Sequence, residues 1–265
     1  LTARRIVVTS GKGGVGKTTT TANLGAALAV RGHRVVLIDA DIGLRNLDLV
    51  LGVEKRIVFD LVEVLEGRCQ LRQALIRDKR FESLSILPAA QTKEKEAVSE
   101  EQMRGLVDEL AEMCDYVLID SPAGIEHGFR SAMAGATEAI IVTMPEVSAI
   151  RDADRVVGKL IEKDLPIRLI INRVRPEMVR SGDMLSIEDV CEILSGELLG
   201  VIPDDEDVID TTNRGEPLVL DPMNRLGAIF DKIARRLEGE LIPFTVLEPP
   251  TIFGRFMDMW KAKAG

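Results

Sequence analysis

The chain is short of long apolar runs, of cysteine and of basic residues, which weighs against a membrane-spanning protein, a metal-cluster protein and a non-specific DNA binder. No uninterrupted apolar run approaches the roughly 18 residues of a spanning helix, so no membrane-crossing segment is expected. No charged-then-apolar leader follows Leu1, so no secretory signal is expected either. Cysteine is scarce: Cys69, Cys114 and Cys191 lie far apart and form no C-x-x-C pair. That spacing offers no iron–sulfur or zinc framework and suits packed thiols in a reducing compartment. Basic residues are in deficit, 34 Lys and Arg against 43 Asp and Glu. The resulting net charge of −9 disfavours non-specific DNA binding by the body of the protein. Aliphatic residues are plentiful. With 46% hydrophobic residues in 265, the chain can bury the core of one large α/β domain.

Short apolar runs alternate with helical stretches, the pattern of a parallel sheet covered on both faces. Strands are expected at 6–8, 34–38, 84–87, 116–119, 139–142, 167–171 and 198–202. Helices are expected at 20–30, 99–113, 148–163, 187–194 and 223–237, and the Glu-rich stretch 93–101 reads as a solvated loop and helix start. Polar residues stand at several strand ends, where open α/β sheets place their ligands. The body spans 1–240, with a linker at 241–250 and a separate tail at 251–265.

The centre of the chain is SGKGGVGKTT, residues 10–19, which contains G-x-x-x-x-G-K-[ST] at 11–18. It follows an apolar run and precedes a helical one, the context that makes the motif a phosphate site. Gly11, Gly13, Gly14 and Gly16, with Val15 between them, let backbone N–H groups turn inward toward phosphate oxygens. Thr18 and Thr19 lead into the following helix, whose N-terminus adds its positive dipole end. Lys17 would reach the β- and γ-phosphates, and the Thr18 hydroxyl would hold Mg²⁺. Asp120 follows four apolar strand residues and precedes Ser121-Pro122-Ala123-Gly124, the placement of a carboxylate that holds the hydration shell of Mg²⁺. Asp39 and Asp41, two residues apart at another strand end, could share a cation or divide the labour. No N-K-x-D guanine code is present, since Asn172 is followed by Arg173-Val174, so ATP is expected rather than GTP.

Lys12, a second lysine inside the loop, marks a subgroup. KGGVGKTT resembles the deviant Walker A ATPases, the MinD/ParA family of P-loop proteins. The resemblance to its MinD branch, the septum-site-determining ATPases of bacteria and plastids, extends over DADIGLRNLDL, LIDSPAGIE, PEVSAIRDADR, SGDMLSIEDV and RGEPLVLD. It implies an α/β P-loop NTPase domain with a mostly parallel twisted sheet, helices on both faces and a C-terminal amphipathic helix. It implies an ATP-dependent homodimer in which Lys12 crosses to the partner's nucleotide. Lys12, Lys17 and Asp41 are then the catalytic group, with Asp41 orienting the attacking water and Asp39 reaching Mg²⁺ through water. Asn172, Pro203 and Asp205 match adenine-contacting segments of the family, and an Asn side chain offers a base edge both a donor and an acceptor. Ser148, Asp152 and Asp154 match partner-contacting positions for a division inhibitor, MinC, and an activator, MinE. Met144 and Ser181 depart from the Asn and Arg expected at their positions.

The tail carries its own signal. On a helical wheel Ile252, Phe253, Phe256, Met257, Met259 and Trp260 gather on one side, and Arg255, Asp258, Lys261 and Lys263 on the other. It holds the chain's single Trp and two of its seven Phe. A short basic amphipathic helix with bulky aromatics lies in the bilayer interface, so Ile252, Phe253, Phe256, Met257, Trp260 and Lys261 are the expected contacts to an anionic membrane. One such helix binds weakly, and two on a dimer bind far better. The expected location is cytoplasmic, peripheral on the inner face of the cell membrane, or the stromal face of a plastid inner envelope. The competing reading is a ParA-type DNA-segregation ATPase, which the acidic body and aromatic tail oppose.

Overall fold

Strands that are apolar on both faces must form an inner layer, and the computed structural model, which describes residues 2–91 and 98–244, has that layer at its centre. Among the described residues eight strands form one sheet. They are β1 (Arg4–Thr9), β2 (Val35–Asp39), β3 (Ile76–Arg77), β4 (Leu84–Leu87), β5 (Tyr116–Asp120), β6 (Glu138–Thr143), β7 (Ile167–Val174) and β8 (Glu197–Pro203). Their spatial order is β3-β4-β2-β5-β1-β6-β7-β8, and every pairing is parallel except β3 with β4. The tail assigned to 251–265, with its membrane contacts, lies outside the described residues.

Successive strand residues feed opposite layers. Ile6 and Val8 face one side of β1 and Val7 the other, all with no exposure, and Leu37 and Ile38 divide β2 in the same way. The first layer packs under helix α1 (Lys17–Val30) and the helix Arg225–Leu237. The second packs under the helices Glu100–Ala111, His127–Ala134, Val147–Ile161 and Ile187–Leu194.

Helix α1 begins at Lys17, three residues before the expected start. The run Thr18 to Thr21 is poor helix former by composition, but the glycine loop fixes the first turn. Residues 20–29 are all buried, so no polar stripe marks this helix. Close approach explains the small residues: a Cβ on Gly25 would stand 2.5 Å from a methyl of Leu37. Strand β7 runs past Asn172 to Val174 through a register shift, with Arg173 in the left-handed region at φ 55°. The helices Leu47–Val50, Leu61–Leu65 and Leu71–Ala74 and the edge strand β3 are too short for periodicity to show them.

The register decides where chemistry can occur. Asp120 at the end of β5 pairs with Val8 of β1 on one side and Asp39 of β2 on the other. The loop leaving β1 therefore passes beside two carboxylates. Replacing Leu37 by Ala opens a void against Gly25, which has no side chain to fill it. Urea unfolding of Leu37→Ala should show a loss of about 2–5 kcal/mol; a loss far below that range would mean the contact between sheet and α1 is loosely packed.

Candidate functional site

Helix α1 starts from a loop built to leave its N–H groups free for an anion. Gly14 and Gly16 adopt φ 78° and 89°, and Gly16 caps the helix without a side-chain hydrogen bond. The first-turn N–H groups thus lack a side-chain partner and carry the positive end of the helix dipole. Four contacts hold the loop in shape. Ser10 Oγ donates to the Lys12 carbonyl at 3.1 Å, and the Ser10 carbonyl accepts from Gly124 N–H at 2.9 Å. Asn172 Nδ2 donates to the Val15 carbonyl at 2.8 Å. Gly11 lies against the backbone of Asp152, where a Cβ would come within 2.1 Å of the Asp152 carbonyl carbon.

Asp120 is the hub of the site. Its carboxylate, 1% exposed, accepts from Lys17 Nζ at 2.8 Å, Thr18 Oγ1 at 2.7 Å and Thr21 Oγ1 at 3.1 Å. Asp39, equally buried, accepts from the N–H groups of Asp41 at 3.0 Å and of Asn46 and Leu47 at 3.1 Å each. Burial, and then the charge of Asp120, push the Asp39 carboxyl up to about 7, against the pull of the backbone N–H groups and Lys17. Two buried carboxylates share one lysine, and a second cation would relieve them. The available donors, a hydroxyl and two carboxylates, are hard oxygens of the kind Mg²⁺ takes. Among the described residues no cluster of three or more His, Cys, Asp or Glu forms a protein-only metal cage.

The space in front of this hub is open. A hollow of about 520 Å³ is lined by Lys17, Thr18, Asp41, Asn46, Arg173 and Thr212, among others. A second of about 560 Å³ is lined by Asn172, Pro203, Asp205, Val208 and Ile209, and the two share Gly16, Thr19 and Arg173. The first surrounds the phosphate loop and the second has room for a base and sugar. Asn172 ties β7 to the loop through Nδ2, so part of its donor capacity is already committed. Asp205 is engaged as well, accepting from Arg225 Nη2 at 2.9 Å and Asp207 N–H at 3.1 Å.

Lys12 is exposed, unlike Lys17 at 7%. Ser148 and Asp154 are exposed on the helix Val147–Ile161, and Asp152 is half-buried beside Gly11 in a smaller hollow with Glu126 and Arg155. Sequence reasoning overlooked Thr21, hidden in a run of four threonines, and Arg173, whose left-handed backbone turns it between the two hollows.

The raised Asp39 carboxyl is testable. Folding makes this group bind its proton more tightly, so the stability it contributes is present below about pH 4 and lost as pH rises through about 7. In a carboxyl ¹³C titration of the nucleotide-free protein, Asp39 should titrate near 7. Asp120→Asn should move that midpoint down by removing the facing charge. A midpoint in the ordinary carboxylate range, or one unmoved by Asp120→Asn, would show that burial and the facing charge do not govern this group.

The chain is similar to known proteins over most of its length. The CobQ/CobB/MinD/ParA nucleotide binding domain matches residues 6–218. The septum site-determining protein MinD of Bacillus subtilis (strain 168) is 54% identical over 246 residues, covering 92% of each chain. A chain of the MinC:MinD cell division protein complex of Aquifex aeolicus superposes with a TM-score of 0.86 at 51% identity, covering 92% of this chain and 99% of that one. MinD of Pyrococcus horikoshii complexed with Mg-ADP gives a TM-score of 0.81 at 36% identity, covering 89% and 96%.

Proposed function

The chain belongs to the CobQ/CobB/MinD/ParA nucleotide-binding family, and we propose that it is a Mg²⁺-dependent ATPase that helps position a division site by cycling on and off a membrane. The carrying observation is the Asp120 hub, with Lys17, Thr18 and Asp39 gathered under a glycine loop that also presents an exposed Lys12. The fold and identity shared with MinD proteins, one seen with Mg-ADP and one with MinC, support the same reading.

The residues divide the work by position and charge. The loop N–H groups of Gly13, Gly14, Val15 and Gly16 receive the phosphates, and Lys17 exchanges Asp120 for a phosphate oxygen. Thr18, Asp120 and, through water, Asp39 would hold Mg²⁺, which when bound would supply positive charge to the phosphate oxygens. Asp41 orients the attacking water. Phosphoryl transfer asks little covalent chemistry of a protein, so placement of these groups carries the rate. Lys12 of one protomer reaches the nucleotide of the other, and hydrolysis therefore depends on dimerisation. Asn172, Pro203 and Asp205 border the adenine. Ser148, Asp152 and Asp154 offer a polar helix face to an inhibitor of the MinC kind and an activator of the MinE kind. The aromatic tail at 251–265 binds an anionic bilayer when the dimer presents two copies.

Co-sedimentation with vesicles of anionic phospholipid tests the cycle. Pelleting is expected with ATP and Mg²⁺, and not with ADP, nor with Lys12→Ala under ATP. Equal pelleting in both nucleotides, or retention on DNA in place of lipid, would contradict it and favour a DNA-segregation ATPase.

A further inference from the structure

Two walls of the nucleotide cavity are joined at a point away from the phosphates, by one arginine. The first wall is the segment from Asp41 to Leu51. Asp41, Asn46, Leu49 and Val50 line the cavity, the N–H groups of Asn46 and Leu47 hold Asp39, and Leu51 closes the short helix Leu47–Val50. The second wall is the helix Asp207–Arg214, which supplies Thr212 to the phosphate hollow and Val208 and Ile209 to its neighbour, and ends at Gly215.

Arg80 bridges them. Its Nη2 donates to the Leu51 carbonyl at 2.6 Å and its Nη1 to the Gly215 carbonyl at 2.7 Å. The same guanidinium forks onto Asp78, with Nε to Oδ1 at 3.0 Å and Nη2 to Oδ2 at 2.7 Å. Asp78 is 2% exposed and fixed to the sheet edge, its N–H donating to the Leu84 carbonyl at 2.9 Å. Beside the bridge the walls touch backbone to backbone. Gly52 and Gly215 both adopt left-handed φ, 63° and 65°, and a Cβ on Gly215 would stand 2.5 Å from Gly52 Cα. A planar fork with its donors in fixed directions suits this task, whereas an ammonium on a flexible stem does not.

We propose that Arg80 is a positioning residue for nucleotide binding and hydrolysis: anchored on Asp78, it sets the gap between the wall that carries Asp41 and the wall that carries Thr212. This rests on the nucleotide-binding reading above. Arg80 lines neither hollow and acts through the two carbonyls it holds.

The test uses the full chain with Mg²⁺, a fluorescent ADP analogue for affinity and ATP turnover for rate, well below the melting temperature. Arg80→Gln should fold yet lose roughly 10- to 100-fold in turnover at saturating ATP, the scale of a small misplacement of reacting groups. Arg80→Lys keeps the charge and should recover only part of the loss. Gly52→Ala wedges the same contact from the other side, so the double variant should lose less than the product of the single losses. Amide exchange at Asn46 and Leu47 should quicken in Arg80→Gln without nucleotide. Affinity and turnover within about twofold of wild type in folded Arg80→Gln, or losses that simply multiply, would overturn the proposal. Should Arg80→Gln fail to fold, Arg80→Lys and Gly52→Ala decide by the same turnover and exchange criteria. A wild-type chain that binds no nucleotide would instead defeat the functional reading, while exchange at Asn46 and Leu47 still reports whether Arg80 holds the wall.

Discussion

The structure depends on where the Asp120 charge is balanced. A carboxylate buried at a strand end is costly unless it is paired and hydrogen-bonded, and Asp120 meets both needs through Lys17, Thr18 and Thr21. Those three partners all stand in the first turns of α1. The ion pair therefore also fixes how α1 sits on the sheet, and with it the direction of the free N–H groups ahead of the helix. Asp39 completes the arrangement from the next strand, pushed up toward 7 by burial and by the Asp120 charge. Two buried carboxylates on adjacent strands thus face each other beside a single lysine.

The rest of the fold holds this arrangement in register. Parallel pairing places Val8, Asp120 and Asp39 side by side, and aliphatic packing on both faces of the sheet keeps them there. Helix α1 lies close enough for its effect because Gly25 and a run of alanines leave room for Leu37. Further out, Gly11 seats the phosphate loop on the helix that carries Ser148, Asp152 and Asp154.

Much of this was legible in the sequence, and for identifiable reasons. The glycine loop, Lys17 and Thr18 are written in a motif whose spacing is set by phosphate geometry, Asp120 stands out as a carboxylate closing four apolar strand residues, and the apolar runs of the inner strands leave little choice of fold. The pairing of Asp39 with Asp120 was not legible, because strand order is a long-range property that no local pattern encodes. Thr21 disappeared among its neighbours, and the Arg80 bridge joins positions 51, 80 and 215, which share nothing in sequence. Helices of four or five residues between β2 and β3 escaped because a single turn has no periodicity to read. The aromatic tail was legible as an amphipathic pattern, and that pattern remains a statement about sequence.

The most direct measurement is a crystal structure of the chain with Mg²⁺ and a non-hydrolysable ATP analogue. Lys17 Nζ is expected to leave Asp120 for a phosphate oxygen, while the Thr18 hydroxyl and the Asp120 carboxylate turn to the metal and its waters. A nucleotide bound with the Lys17–Asp120 pair intact, or with the metal held away from Thr18 and Asp120, would contradict it.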